Sequence, residues 1–165
     1  MSAQARPAPD VAALLAAARA KGATVAVAES CTGGMVAAAL TDPPGASDVF
    51  VWGAVSYANA AKRTMLGVAQ DALIAHGAVS EPVARQMAEG ARAQSGATLA
   101  VAVTGVAGPG ASGRKPEGRV CFALSGPAGT LAETVEFGAR GRGAVRAAAR
   151  DHVLALLQDG LDALP

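Results

Sequence analysis

Val25-Ala26-Val27-Ala28-Glu29-Ser30-Cys31-Thr32-Gly33-Gly34 is the stretch around which the chain is organised. Its first four residues are apolar and suit a short buried strand. Glu29 to Thr32 then break the pattern with polar or reactive side chains, and two glycines follow. Met35 to Leu40 is Ala-rich and reads as a helix, so the helix is expected over Thr32 to Leu40. A strand, a tight turn and a helix start place free helix N–H groups at the turn, where an anion or a developing oxyanion is stabilised. Taken locally, Ser30 and Thr32 read equally well as ordinary helix caps.

Outward from that stretch, helices and strands alternate. Val11 to Lys21 predicts a helix ended by Gly22, and Thr24 to Ala28 the first strand. Asp42 to Asp48 is a loop, and Val49 to Ser56 a mostly buried strand. Ala60 to Leu66 and Gln70 to His76 are short helices. Ser80-Glu81-Pro82 opens a longer helix to about Gln94. Thr98 to Val103 predicts a strand, and Gly105 to Gly118 a long irregular loop of the kind that carries function. Val120 to Leu124 and Leu131 to Phe137 predict a hairpin across Gly126-Pro127-Ala128-Gly129, and Ala144 to Leu157 a final helix. The order α-β-α-β-α-α-α-β-β-β-α predicts an α/β fold: a three-layer α/β/α sandwich on a mixed, mostly parallel sheet of about five strands. Residues 1–8 are expected to be a flexible N-terminal tail, and residues 9–165 a single domain.

Composition narrows the function classes. The 165 residues are 52% hydrophobic and 16% charged, which excludes disorder, and at 3% aromatic the core must be built from Ala, Val and Leu. A net charge of +1 gives no sign of a nucleic-acid or membrane surface, and neither partner is expected. Every apolar run is interrupted before membrane length, and the N-terminus has no signal-peptide h-region, so the expected location is the cytoplasm. The two cysteines and two histidines form no disulfide framework or ligand cluster. No metal site and no cofactor are expected.

In such a sandwich, ligands bind beyond the carboxyl ends of the parallel strands. The polar residues predicted there are Ser30, then Tyr57 and Lys62, then Thr104. A serine hydroxyl needs a base, and lysine is one only when neutral, a state that burial among apolar groups favours. Tyr57 is placed to relay a proton or to hold the lysine amine. The plainer readings are a solvated Lys62 and a half-buried strand-end Tyr57. Cys31 is a rival nucleophile at a helix N-terminus, although a small buried packing residue is the better reading, as it is for Cys121. The loop from Gly105 matches neither GxxxxGK[ST] nor GxGxxG.

The segments AESCTGG (28–34), GAVSYANAAK (53–62), GAVSEPVARQMAEGA (77–91), VTGVAGPG (103–110) and KPEG (115–118) resemble the C-terminal domain family of the competence-damage-inducible protein CinA, over about residues 8 to 159. The likeness is to its stand-alone form, without the molybdopterin-binding-like domain of longer CinA proteins. The resemblance implies metal-independent hydrolysis of the carboxamide of nicotinamide mononucleotide to nicotinic acid mononucleotide and ammonia, in pyridine nucleotide recycling. It implies Ser30 as nucleophile, Lys62 as base, Tyr57 beside it and Thr104 in the same network. On this reading Cys31, Thr32, Gly33 and Gly34 supply N–H groups to the oxyanion, while Gly105, Gly108 and Arg142 contact the nucleotide. A homodimer is compatible with it. Two features depart from the family. Arg140 to Arg146 keeps Arg142 and Arg146 but has Gly141 where an acid is usual, and Arg114 stands where acids are common. The competing readings are a related amidase or pyrophosphatase in the same pocket, and a non-catalytic nucleotide- or partner-binding module.

Overall fold

The Val/Ala alternation of the organising strand gives the sheet two different faces. A computed structural model of the chain describes residues 2–165. Strand β1 (Val25–Glu29) is buried along its whole length. Its valines, with Leu99, Val101 and Val103 of β3 (Leu99–Gly105) and alternate residues of β4 (Arg119–Gly126), pack on three helices: α1 (Val11–Ala20), α2 (Met35–Thr41) and α6 (Arg142–Asp162). The alanines between them, Ala26, Ala28, Ala100, Ala102 and Ala123, pack on α3 (Asn59–Leu66), α4 (Gln70–His76) and α5 (Glu81–Ser95). This is the three-layer sandwich the order of elements predicts. Small residues on the second face let the helices lie close. At Gly90 of α5, an added Cβ would fall 1.9 Å from the Leu66 carbonyl oxygen, so no larger residue fits the crossing of α3 and α5.

Strand order is β2-β1-β3-β4-β5, with β2 at Phe50–Val55 and β5 at Gly129–Glu136. β1 pairs in parallel with β2 and β3, and β4 runs antiparallel to both β3 and β5. Four strands thus point one way, and β4 alone runs against them. β1 leaves through α2 toward one face, and its neighbour β2 leaves through α3 toward the other. Strands that part in this way open a crevice at their carboxyl ends. The register brings Glu29 opposite both Val55 and Val103, so the chain just past each of these strands converges on that crevice.

Three expectations need correction. The second helix starts at Met35 rather than Thr32, because residues 31 to 34 are spent on the turn. β2 is not mostly buried: it is an edge strand, and Val51 and Val55 are about half exposed. The segment expected as a loose tail is docked. Ala3 N–H donates to the Thr134 carbonyl at 2.7 Å, the Arg6 amide donates to His152 Nδ1 at 3.2 Å, and the Arg6 guanidinium pairs with Asp159. No helix among the described residues is long and apolar enough to cross a membrane.

Candidate active site

Ser30 follows the last residue of β1, and its amide donates to the Val103 carbonyl of β3 at 3.0 Å. The Ser56 amide donates to the Glu29 carbonyl at 2.8 Å, which ties the end of β2 beside it. From here α3 carries Lys62 back over the strand ends. Lys62 is 1% exposed, and its Nζ lies 3.0 Å from Ser30 Oγ, 2.7 Å from the Ser56 carbonyl oxygen and 3.2 Å from the Tyr57 carbonyl oxygen. Among the described residues no carboxylate pairs with it. Burial lowers its pKa from the ordinary lysine value. The Ser56 and Tyr57 carbonyls can only accept, so each takes an N–H of the amine, and the Ser30 hydroxyl is the third hydrogen-bond partner of Nζ. The solvated-lysine reading fails, and a buried serine–lysine pair stands at the head of the crevice.

The pair opens on a cavity of about 330 Å³, walled by Thr104, Gly105, Gly108 and the loop to Ser112, with Arg142 at its side. Gly108 has φ +90° and precedes a cis bond to Pro109. Arg142, in the first turn of α6, donates to the Gly108 carbonyl at 2.8 Å and to the Tyr57 hydroxyl at 3.0 Å. Both acceptors are neutral, so the guanidinium keeps its charge for an anion in the cavity.

The structure assigns several predicted residues differently. Tyr57 is 57% exposed. Its hydroxyl, expected beside Lys62 as a relay, bonds Arg142 instead, and its backbone carbonyl holds the amine. Thr104 lines the same cavity, but its hydroxyl donates to the Ala78 carbonyl at 2.9 Å rather than to Ser30 or Lys62. Thr32, Gly33 and Gly34 stand behind the cavity. Thr32 Oγ1 and the Gly34 amide donate to Glu29, and the Gly33 amide donates to the Ser30 carbonyl. The Cys31 and Thr32 amides donate to no other residue among those described, which leaves them as the turn's candidate donors to an anion. Lys115 lies outside the cavity lining and donates to the His76 carbonyl at 2.5 Å and to that of Val79. Among the described residues no group of three or more His, Cys, Asp or Glu side chains could hold a metal ion.

Cys31 is 5% exposed, and burial pushes its thiol up to about 12. Desolvation outweighs the hydrogen bond from its own backbone and the nearby Lys62 and Arg146 charges. At pH 8 only about one thiol in ten thousand is then thiolate. Cys31→Ala is therefore expected to keep turnover within the wild-type order of magnitude, and iodoacetamide at pH 8 to leave activity intact. Rapid loss of activity with one alkylated cysteine would make the thiol the nucleophile.

Three contributing residues were missed. Ser56 supplies a carbonyl, which no side-chain pattern reveals. Glu29 is a fully buried carboxylate bonded to the turn, and its signal was present: a charged residue ending a buried strand requires partners. Arg146 donates from α6 to the Cys31 carbonyl at 3.0 Å and to the Thr32 carbonyl at 3.2 Å. Because N–H and C=O oppose one another across a trans peptide, this hold turns the Thr32 amide away from Arg146.

The model of the CinA C-terminal domain matches residues 9–161. A CinA-like protein of Anaeromyxobacter dehalogenans is 55% identical over 141 residues, which are 84% of this chain and 34% of that protein. A CinA-like protein of Prochlorococcus marinus is 51% identical over 148 residues, 86% of this chain and 34% of its own length. The chain thus spans about a third of the length of these curated relatives. Among solved structures, the competence/damage-inducible protein CihA of Agrobacterium tumefaciens superposes with a TM-score of 0.88 at 41% identity, covering 95% of this chain and 99% of that one. A CinA-superfamily protein of Escherichia coli gives 0.86 at 34% identity, over 90% and 87% of the two chains.

Proposed function

The chain belongs to the CinA C-terminal domain family, and on that premise we propose that it is an amidohydrolase converting nicotinamide mononucleotide to nicotinic acid mononucleotide and ammonia. The observation that carries this reading is the Lys62 amine, buried without a carboxylate and seated on two carbonyls and the Ser30 hydroxyl.

In the first half-reaction, Ser30 Oγ attacks the carboxamide carbon while neutral Lys62 takes the hydroxyl proton. The C=O bond becomes a C–O⁻ single bond, stabilised by the Cys31 and Thr32 amides. The C–N bond then breaks, its electron pair leaves with nitrogen, and the proton on Lys62 passes to it as ammonia departs. An ester of Ser30 remains. In the second half, water attacks the ester carbon and gives a proton to Lys62. The carbon–Oγ bond breaks, and that proton returns to Ser30. No net proton stays on the enzyme, and the products are the acid and ammonia.

Arg142 is the candidate for the phosphate, because its present partners are neutral and it lines the cavity. Arg142→Ala is expected to raise KM about 10- to 100-fold, the worth of a charge-assisted hydrogen bond, with little change in kcat. A fall in kcat at unchanged KM would place Arg142 with the turn rather than with the substrate. The reading as a whole is tested by ammonia release from nicotinamide mononucleotide by the purified chain, with and without chelator, beside free nicotinamide and dinucleotides. Ammonia from the mononucleotide in both conditions supports it. Pyrophosphate-bond cleavage, or no turnover, contradicts it.

A further inference from the structure

The geometry of a nucleophile must come from something that holds its backbone, and here one side chain touches both the turn and the helix that follows it. Glu29 is fixed in β1 by pairing with β2 and β3, and its side chain is 1% exposed. Its Oε1 accepts from Thr32 Oγ1 at 2.6 Å, from the Gly34 amide at 3.2 Å and from the Val36 amide at 2.9 Å. Its Oε2 accepts from the Ala37 amide at 3.0 Å. These are the first free amides of α2 together with the middle of the turn. A carboxylate at this position sits where the helix dipole is positive, so its charge is compensated without a cationic side chain.

Two consequences bear on the chemistry. The α2 amides are occupied, which leaves the oxyanion to the earlier amides of Cys31 and Thr32. The negative charge next to Ser30 is also committed away from Lys62. A carboxylate facing that amine would hold it as an ammonium, and an ammonium cannot act as base. The groups facing Lys62 are the Ser56 and Tyr57 carbonyls and the Ser30 hydroxyl, with Cys31 the titratable side chain that acts on it.

We propose that Glu29 is a positioning residue of the site: by binding Thr32 and the α2 amides it fixes the turn that presents Ser30 and the Cys31–Thr32 amides, while keeping its charge off Lys62. This rests on the amidohydrolase reading above. Glu29→Gln keeps the size, but its amide nitrogen then faces the Ala37 N–H, donor against donor. With the turn displaced, kcat for nicotinamide mononucleotide is expected to fall about 10- to 100-fold. KM should be unchanged, because Arg142 and the Gly105–Gly110 wall are not touched. The alkaline rise of kcat/KM should keep its midpoint, because Glu29 is not the counter-ion of Lys62. Thr32→Val, which removes one donor and leaves three amides in place, should show the same pattern with a smaller loss of kcat, and it decides the matter if Glu29→Gln does not fold. Wild-type kcat in these variants, a KM that rises while kcat holds, or a midpoint moved to lower pH overturns the proposal. An inactive wild type overturns the amidohydrolase reading instead, so the two failures are distinguishable.

Discussion

Replacing Ser30 with alanine is expected to lower kcat on nicotinamide mononucleotide by at least about 10³-fold, since a missing nucleophile removes the covalent route as a whole. The fold should survive. Ser30 is held through its amide on the Val103 carbonyl, which alanine retains. The lost hydroxyl leaves Lys62 with its two carbonyl acceptors. Substrate should still bind with near wild-type affinity, because Arg142 and the loop from Gly105 are unchanged. Turnover and a binding titration on the same preparation check both halves. A Ser30→Ala protein with near-normal kcat would remove the serine from the mechanism.

The second large effect is at Lys62. Lys62→Arg is expected to lower kcat by about 10²- to 10⁴-fold even though it keeps a positive charge, because a guanidinium does not give up its proton in the working pH range. Lys62→Met, similar in length and without an amine, should be as inactive, and it controls for the larger size of arginine. In the wild type, kcat/KM should rise with pH as the ammonium loses its proton. The midpoint should lie below the ordinary lysine value of about 10.4, since burial disfavours the charged form. Stability carries the same sign. Between the folded-state value and the ordinary one, the unfolded chain binds a proton at Lys62 that the folded chain does not, so this residue's contribution to stability rises with pH across that window. Thermal melts of wild type and Lys62→Met over alkaline pH check it. A Lys62→Arg enzyme with normal turnover would limit Lys62 to supplying charge.

The parts of this picture legible in the sequence are those written in local pattern. The Val/Ala run into Glu29-Ser30-Cys31-Thr32-Gly33-Gly34 specified a strand, a turn and a helix, and the alternation of helices with strands specified the sandwich. Ser30, Lys62 and Thr104 could be grouped because Ser30 and Lys62 follow the ends of parallel strands and Thr104 stands in the last residues of a third, and three such ends must lie together. What stayed hidden depends on contacts made across the fold. Arg146 reaches Cys31 over 115 positions of sequence, and no local pattern links them. Tyr57 was placed correctly along the chain, but its backbone rather than its hydroxyl meets Lys62, because the ring turns out toward Arg142. The N-terminal segment looked loose because no local pattern marks it as a helix or a strand. Its anchors are polar ones on β5 and α6, from Thr134 to His152 and Asp159. Glu29 was the avoidable omission, since a charge at the end of a fully buried strand must have partners, and the free amides of the following helix lie within reach.

The central claim is a covalent route through Ser30, and trapping with hydroxylamine tests it most directly. In the presence of nicotinamide mononucleotide and hydroxylamine, an ester on Ser30 partitions between water and the added nucleophile. The account predicts that the hydroxamate of nicotinic acid mononucleotide accumulates at the expense of the free acid, that ammonia equals the sum of the two, and that Ser30→Ala forms neither. Ammonia release accompanied by the free acid alone, with no hydroxamate at any hydroxylamine concentration, would mean that water attacks the carboxamide directly and would contradict the account.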